Sequence, residues 1–250
     1  MIIAYHRPQT LDEALTLLTQ PNTLPLGGGT LLSKPMADSV QVVDLQLLGL
    51  DSLTKKGNDL EIGATLTLQA LLESEYCPEA LKSALKLEAP LNFRTAATVA
   101  GTLVACDGRS TLATALLAAD AKIILTDSQK TEATLNIGEF LPLREQVRGK
   151  LITKIPLPTN TKLAFEYVAR TPADKPIVCA ALAQWNSGRT RLAVGGYGRS
   201  PILAMDGTEA EGIEAAARNA FHEATDDYAS AEYRMDVAAT LAMRCLEISK

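Results

Sequence analysis

Three consecutive glycines, Gly27-Gly28-Gly29, stand between the short extended stretch Thr23-Leu24-Pro25-Leu26 and Thr30. Glycine has no Cβ, so such a run lets the backbone take positive φ and come close to a ligand or to another backbone. It also leaves successive N–H groups pointing outward, an arrangement that forms an anion-binding concavity. Two readings are open: a tight turn joining a strand to the next segment, or a phosphate cradle to which the Thr30 hydroxyl adds a donor. Neither common phosphate fingerprint is present, since no G-x-G-x-x-G opens a helix and no Lys-Ser/Thr follows as in a P-loop.

A second candidate segment is Phe93-Arg94-Thr95-Ala96-Ala97-Thr98-Val99-Ala100-Gly101-Thr102-Leu103-Val104-Ala105. Its small side chains allow close approach of a ligand or a backbone, and Thr98 and Thr102 carry hydroxyl donors. It reads as a loop before a helix, although a tightly packed helical segment would account for the same composition without any ligand.

Around these loops the pattern is one of mixed helices and strands. Thr10 and Glu13 form a capping box, after which Leu11, Ala14, Leu15 and Leu18 fall on one face of a helix over about Leu11 to Thr19. Gln41 to Leu45 reads as a strand. A turn at Lys56-Gly57-Asn58-Asp59 precedes a strand over Leu60-Glu61-Ile62 and a helix carrying Leu68, Leu71 and Leu72. Pro78 opens a helix over Glu79 to Leu87, with Leu81, Ala84 and Leu85 inward. A helix from about Leu112 to Ala119 and a strand from Lys122 to Leu125 come next.

The polar stretch Leu157-Pro158-Thr159-Asn160-Thr161 is expected to mark a domain boundary. Beyond it, strands are expected over Phe165 to Val168, Ile177 to Trp185 and Thr190 to Val194, the last two joined at Asn186-Ser187-Gly188. Two helices close the chain. The final one starts at Ser230 and is expected to present Tyr233, Val237, Leu241 and Ile248 to the sheet.

Composition narrows the function. Hydrophobic residues at 47% and charged residues at 21% describe a folded globular chain. A formal net charge of -5 gives no basic footprint for nucleic acid. No apolar run approaches the roughly 20 residues that span a bilayer, and no apolar signal stretch opens the chain, so a cytoplasmic protein is expected. Cys77, Cys106, Cys179 and Cys245 lie too far apart for a zinc or iron–sulfur motif and are expected to be reduced thiols. With only His6 and His222, the latter expected on an exposed helix, a Ser-His-Asp or histidine–metal mechanism has little to draw on.

Both glycine-containing segments, in this order, resemble those of the FAD-binding subunit of the molybdenum hydroxylases, the xanthine dehydrogenase and aerobic carbon monoxide dehydrogenase family. The likeness runs along nearly the whole chain. YHRPQTLDEALTLL is similar to the family's opening pattern, LGGGTLL to its L-A-G-G-T-D-L loop, VVDL to its next strand and LEIGATLTLQALLES to its I-G-A-x-T-T-L segment. FRTAATVAGTLVACDGRSTLATALLAADAKIIL resembles I-R-N-x-A-T-x-G-G-N-L, then A-S-P-x-x-D, then a helix and a strand. LITKIPLP is similar to the strand closing that domain. ADKPIVCAALA, RLAVGGYGRSPILA and DDYASAEYRMDVAATLAMRCL resemble its small C-terminal domain.

The resemblance implies an α+β chain: a two-subdomain FAD-binding domain of the vanillyl-alcohol-oxidase-like type over residues 1–158, with subdomains of about 1–53 and 57–158, then a sheet-plus-helices domain over 162–250. It implies FAD as cofactor, with its pyrophosphate on Gly27, Gly28, Gly29, Thr30, Leu31 and Leu32 and on Thr98, Val99, Ala100, Gly101 and Thr102, and Thr111 nearby. Partners implied are a molybdopterin-binding large subunit and a small subunit with 2Fe–2S clusters, with NAD or another molecule accepting the electrons. The flavin carries that chemistry, so a scarcity of histidine is no obstacle.

Departures fall where the cofactor would touch. Leu31 stands in place of Asp or Ser, Ala100 and Thr102 in place of the Gly and Asn of G-G-N, and Thr111 in place of Asp; after Phe165, Glu166 and Tyr167 occupy the place of a frequent lysine. A lost hydrogen bond costs about 1 kcal/mol, or up to about 3 kcal/mol if a buried partner is left unsatisfied. The alternative reading is therefore a degenerate member kept as a scaffold or assembly subunit, with weak flavin binding or none. A free-standing flavoprotein would need its own substrate base, and no residue offers itself.

Overall fold

A computed structural model describes residues 1–35, 37–147 and 149–249, so Lys250, the last residue of the expected C-terminal domain, lies outside the described residues. Helices and sheets are mixed, as the α+β reading expects. The chain forms two compact units, each gathered from separate stretches: Met1–Glu73, Leu91–Ala105 and Lys122–Pro156 in the first, Ser74–Pro90, Cys106–Ala121 and Leu157–Lys250 in the second.

The first unit opens with β1 (Ile2–His6), α1 (Leu11–Leu18), β2 (Thr23–Leu26) and β3 (Val40–Asp44), the strands forming a parallel sheet in the order β1-β3-β2. Thr10 Oγ1 accepts from the Glu13 N–H at 3.3 Å, while the Glu13 carboxylate accepts from the Gln9 N–H at 3.1 Å, one residue before the usual capping-box partner. Ala14, Leu15 and Leu18 of α1 bury against Val43, Leu45 and Leu151.

A second sheet holds β4 (Leu53–Lys56), β5 (Asp59–Gly63), β6 (Lys122–Thr126), β7 (Glu132–Asn136) and β8 (Leu151–Pro158) in the order β4-β5-β8-β6-β7. The β4–β5 turn has Gly57 at φ +60, where a side chain would be strained. The helices of this unit are α2 (Leu68–Glu73), α4 (Leu91–Arg94), α5 (Val99–Ala105) and α7 (Ile137–Leu143). Leu68, Leu71 and Leu72 are buried as the helical spacing predicts.

In the second unit, β9 (Thr161–Val168), β10 (Val178–Trp185), β11 (Thr190–Gly195) and β12 (Ile202–Gly207) make an antiparallel meander ordered β12-β11-β10-β9. Helices α3 (Glu79–Glu88), α6 (Thr111–Ala118), α8 (Ile213–Asn219) and α9 (Ala231–Ser249) cover it. Successive side chains of β10 face opposite ways. Cys179 therefore meets Thr114 of α6, while Ala180 and Leu182 pack with Leu241, Ala242 and Cys245 of α9. Burial on both faces explains why β10 reads as an unbroken apolar run rather than an alternating one.

Some expectations need correction. The segment after Phe93 is not a loop up to Leu112, because α4 and α5 occupy most of it up to Ala105. Helix α9 starts where expected, and Leu241 and Val237 pack on the core as expected, but Tyr233 and Ile248 are 43% and 60% exposed, and Arg234, Ala238, Ala242 and Cys245 face inward in their place. Arg234 can be fully buried because its guanidinium donates to the carbonyls of Ala224 and Ala229 and to the Asp226 carboxylate at 2.7 Å, which satisfies the charge. His222 lies in a turn after α8, exposed, rather than on a helix. The polar stretch at 157–161 narrows to a two-residue link, Thr159–Asn160, between β8 and β9.

Candidate functional site

The first loop leaves β2 at Leu26, whose carbonyl accepts from the Leu45 N–H at 3.0 Å. Gly29 takes φ +71, and its carbonyl accepts from both the N–H and the hydroxyl of Ser33, at 3.0 and 2.6 Å. That pair of bonds curls the chain through Thr30, Leu31 and Leu32. Among the described residues, the N–H groups of Gly27, Gly28, Gly29, Thr30, Leu31 and Leu32 have no protein acceptor. Gly27 to Thr30 and Leu32 are half-buried, and Leu31 is 50% exposed. A half-sheltered run of unspent donors with a positive φ inside it is what an anionic group needs from a backbone.

The second segment has spent most of its donors, although the N–H and the hydroxyl hydrogen of Thr98 have no protein acceptor among the described residues. Around the Thr67–Thr98 bridge, the Leu68 N–H donates to the Ala97 carbonyl and the Val99 N–H to the Leu66 carbonyl, each at 2.9 Å. The Ala100 N–H donates to the Ala64 carbonyl at 3.2 Å, and the Gly101 N–H to Thr98 Oγ1 at 3.2 Å. Thr102 donates through both its N–H and its hydroxyl to the Thr98 carbonyl, at 2.9 and 2.8 Å. First-turn amides are normally the orphan donors of a helix, and in α5 they are satisfied within the chain. Ahead of α5, the Arg94 side chain donates to Gln69 Oε1 at 3.0 Å, tying α4 to α2.

The two segments touch backbone to backbone. A Cβ placed on Gly28 would lie 1.7 Å from the Ala96 carbonyl oxygen, and one on Gly27 would lie 2.8 Å from Thr98 Oγ1. One on Gly101 would also lie 2.8 Å from Thr98 Oγ1. The structure thus brings Gly27 and Gly28 together with Thr98 and Gly101, with the Thr98 side chain between the glycines of the two segments. A seam of this kind is a third use of glycine, beyond the turn and the cradle read from the sequence.

Thr111 belongs to the second unit. It is buried at the start of α6, where its hydroxyl donates to the Ala84 carbonyl at 2.7 Å and to Glu88 Oε2 at 3.1 Å. The same Glu88 oxygen accepts from the Ser110 hydroxyl and from the Leu112 N–H, at 2.8 and 2.9 Å. Glu88 therefore caps α6 from α3, a role invisible to a reading that looks only at residues next to the helix start.

Nucleophilic thiol chemistry is poorly served. Burial pushes the thiols of Cys77, Cys179 and Cys245 up to about 12, far from the thiolate form at neutral pH. His6 Nε2 lies 3.0 Å from Gln41 Oε1. Among the described residues no group of three or more His, Cys, Asp or Glu is placed to hold a metal ion, and no helix is long and apolar enough to cross a membrane.

Residues 1–160 match the family described as the FAD binding domain in molybdopterin dehydrogenase. Along its length the chain is 27% identical over 250 residues to the YgfM protein of Escherichia coli (strain K12), covering 96% of this chain and 94% of that protein. It is 25% identical over 276 residues to the carbon monoxide dehydrogenase medium chain of Afipia carboxidovorans, covering 98% and 96%. In fold it is similar to a chain of carbon monoxide dehydrogenase from Hydrogenophaga pseudoflava, with a TM-score of 0.85 at 21% identity over 100% of this chain and 97% of that one.

Proposed function

The chain belongs to the family of the FAD binding domain in molybdopterin dehydrogenase, and from that premise we propose that it is the FAD-carrying electron-transfer subunit of a molybdenum hydroxylase-like complex. FAD is the cofactor that this family's domain binds. The observation that carries the reading is the row of unspent N–H groups from Gly27 to Leu32, which fits the pyrophosphate of a dinucleotide. The Thr30 hydroxyl adds a donor beside them. Bound there, flavin would supply the redox chemistry, taking up electrons and passing them on. The protein's part is to hold the phosphates with pre-set amides and to keep the loop from collapsing, which the packing of Gly28 on Ala96 accomplishes.

Electrons would arrive from 2Fe–2S clusters on a small partner subunit, after oxidation of a substrate at the molybdopterin site of a large one. NAD or another molecule would receive them. The medium chain of the Afipia carbon monoxide dehydrogenase, similar over 98% of this chain, supports that assembly. The complex is proposed to work in the cytoplasm.

A second reading is favoured by one specific observation. The amides of Val99, Ala100 and Gly101 are satisfied internally and Leu31 presents an apolar side chain, so a scaffold subunit with little flavin affinity would also suit this surface. The visible spectrum of the purified chain, together with FAD titration, separates the two. Flavin bands or saturable uptake support the electron-transfer reading; a folded chain that takes up none supports the scaffold.

A further inference from the structure

We propose that Arg109 and Arg170, held against the ring of Tyr228, form a binding site for a diphosphate group that uses none of the residues assigned to FAD. All three belong to the second unit and stand on three different loops. Arg109 lies just before α6, Arg170 follows β9, and Tyr228 lies between α8 and α9. The guanidinium carbon of Arg109 stands 4.1 Å from the centre of the Tyr228 ring, and that of Arg170 stands 5.4 Å from it. Tyr228 is 50% exposed, so the ring gathers two cations at a surface that a ligand can reach.

Backbone carbonyls fix this geometry. Arg109 donates through Nε to the Pro176 carbonyl and through Nη2 to the Lys175 carbonyl, each at 3.1 Å, and Arg170 Nη2 donates to the Tyr228 carbonyl at 3.2 Å. The Tyr228 loop is held in turn by Asp226 Oδ1, which accepts from the N–H groups of Tyr228 and Ala229 at 2.8 and 3.2 Å. Like charges repel, yet two guanidinium groups share one ring here with no carboxylate to offset them. Lys175 pairs with Asp107 at 3.5 Å and Arg234 with Asp226 at 2.7 Å; among the described residues Asp174 and Asp227, on the same loops, pair with neither Arg109 nor Arg170. Donors are left over: Nη1 of Arg109, Nε and Nη1 of Arg170, and the Tyr228 hydroxyl. One carboxylate would match one guanidinium fork. Two forks on one ring suit an anion with charge on two linked centres, and phosphate oxygens are acceptors that arginine engages in pairs. Stacking on the ring also holds both side chains extended before the ligand arrives, which lowers the ordering cost of binding.

The test titrates inorganic pyrophosphate into the full chain at constant ionic strength and follows, by NMR, the Nε–H resonances of Arg109 and Arg170 and the Tyr228 amide. Site-resolved signals are needed because the Gly27 to Leu32 amides are themselves proposed to hold phosphates. Saturable shifts at all three positions are expected, with a Kd of about 1 mM or below. Arg109→Gln and Arg170→Gln are each expected to weaken this binding by about tenfold. Inorganic phosphate is expected to bind more weakly than pyrophosphate, and acetate to give no saturable shift. Should Arg109→Gln disturb the loop that Arg109 anchors, Arg170→Gln carries the same expectation, because its side chain bonds only the Tyr228 carbonyl.

Shifts confined to the Gly27 to Leu32 amides, or an Arg170→Gln variant that binds as the unaltered chain does, would overturn the site. Phosphate or acetate binding as tightly as pyrophosphate would overturn the diphosphate assignment. Flavin plays no part in these readouts. A folded chain that takes up no FAD would overturn the functional reading, while saturation at the two arginines would still support this site.

Discussion

Gly28 lies so close to Ala96 that a single added carbon on the glycine would sit 1.7 Å from the alanine's carbonyl oxygen. Backbone cannot yield as a flexible side chain can. Gly28→Ala is therefore expected to force the two segments apart and destabilise the fold by about 1–3 kcal/mol, the usual range for overpacking. At Gly27 the obstacle is the Thr98 side chain rather than a main chain, so Gly27→Ala is expected to cost less. Urea unfolding midpoints of the two variants check the order.

Replacing Ala100 with the glycine more common in the family is expected to leave FAD affinity within about threefold of its starting value, since the Ala100 N–H is already bonded to Ala64. It should cost about 1 kcal/mol of stability, because glycine is a poor residue inside a helix. A titration paired with thermal unfolding reads both. Markedly tighter binding would mean that the second segment does donate to the cofactor.

Much of this arrangement is legible in the sequence where local chemistry speaks for itself. The Thr10–Glu13 pairing and the apolar spacing after it define α1, and Gly57 marks its hairpin. Strand β1 escapes notice because Ile2, Ile3 and Tyr5 are all exposed on a sheet edge, which leaves no inward–outward alternation to read. In α5 the small and hydroxylated residues have weak preferences of their own, and the helix is set by acceptors at Ala64 and Leu66. The phase of α9 is hidden by Arg234, a charge that a one-dimensional pattern assigns to solvent and that four nearby oxygens allow inside. The seam between Gly28 and Ala96 joins residues distant in sequence, and no local pattern announces it.

Arg234 carries its own prediction. Arg234→Met would fill a similar volume but leave the Ala224 carbonyl without its donor and the Asp226 carboxylate with only the N–H groups of Tyr228 and Ala229 and no cation, and removing one partner of a buried pair costs about 3–5 kcal/mol. Because Asp226 is partly exposed, the loss is expected near the lower end. Chemical denaturation of the variant measures it.

Acid sensitivity should report Asp206. Its pKa is lowered chiefly by the hydrogen bond from Arg189, with Arg191 adding to the effect against the cost of burial. A carboxylate lowered on folding stabilises the native state above its unfolded pKa of about 3.9 and loses that contribution as the pH falls through the lower native value. Stability is thus expected to drop on acidification below about pH 4, and Asp206→Asn to flatten that limb of the curve. Urea unfolding across roughly pH 2 to 7 gives the comparison.

Thiol reactivity offers an independent check of the packing. All four cysteines are buried, and the three thiols raised to about 12 are protonated at neutral pH. A chromogenic disulfide reagent is expected to leave the native chain unmodified over minutes and to titrate all four after denaturation. Rapid labelling of the native protein would contradict the burial of these side chains.

The central claim is that the Gly27 to Leu32 amides hold the phosphates of FAD. Equilibrium titration of the purified chain with FAD and, separately, with riboflavin, which shares the flavin ring but has no phosphate, tests it most directly. Two charge-assisted hydrogen bonds at about 1.5 kcal/mol or more each correspond to a preference for FAD of about a hundredfold or greater. Saturable FAD binding with riboflavin weaker by that margin is the predicted result. Equal affinity for the two, or a folded chain that binds neither, would contradict it.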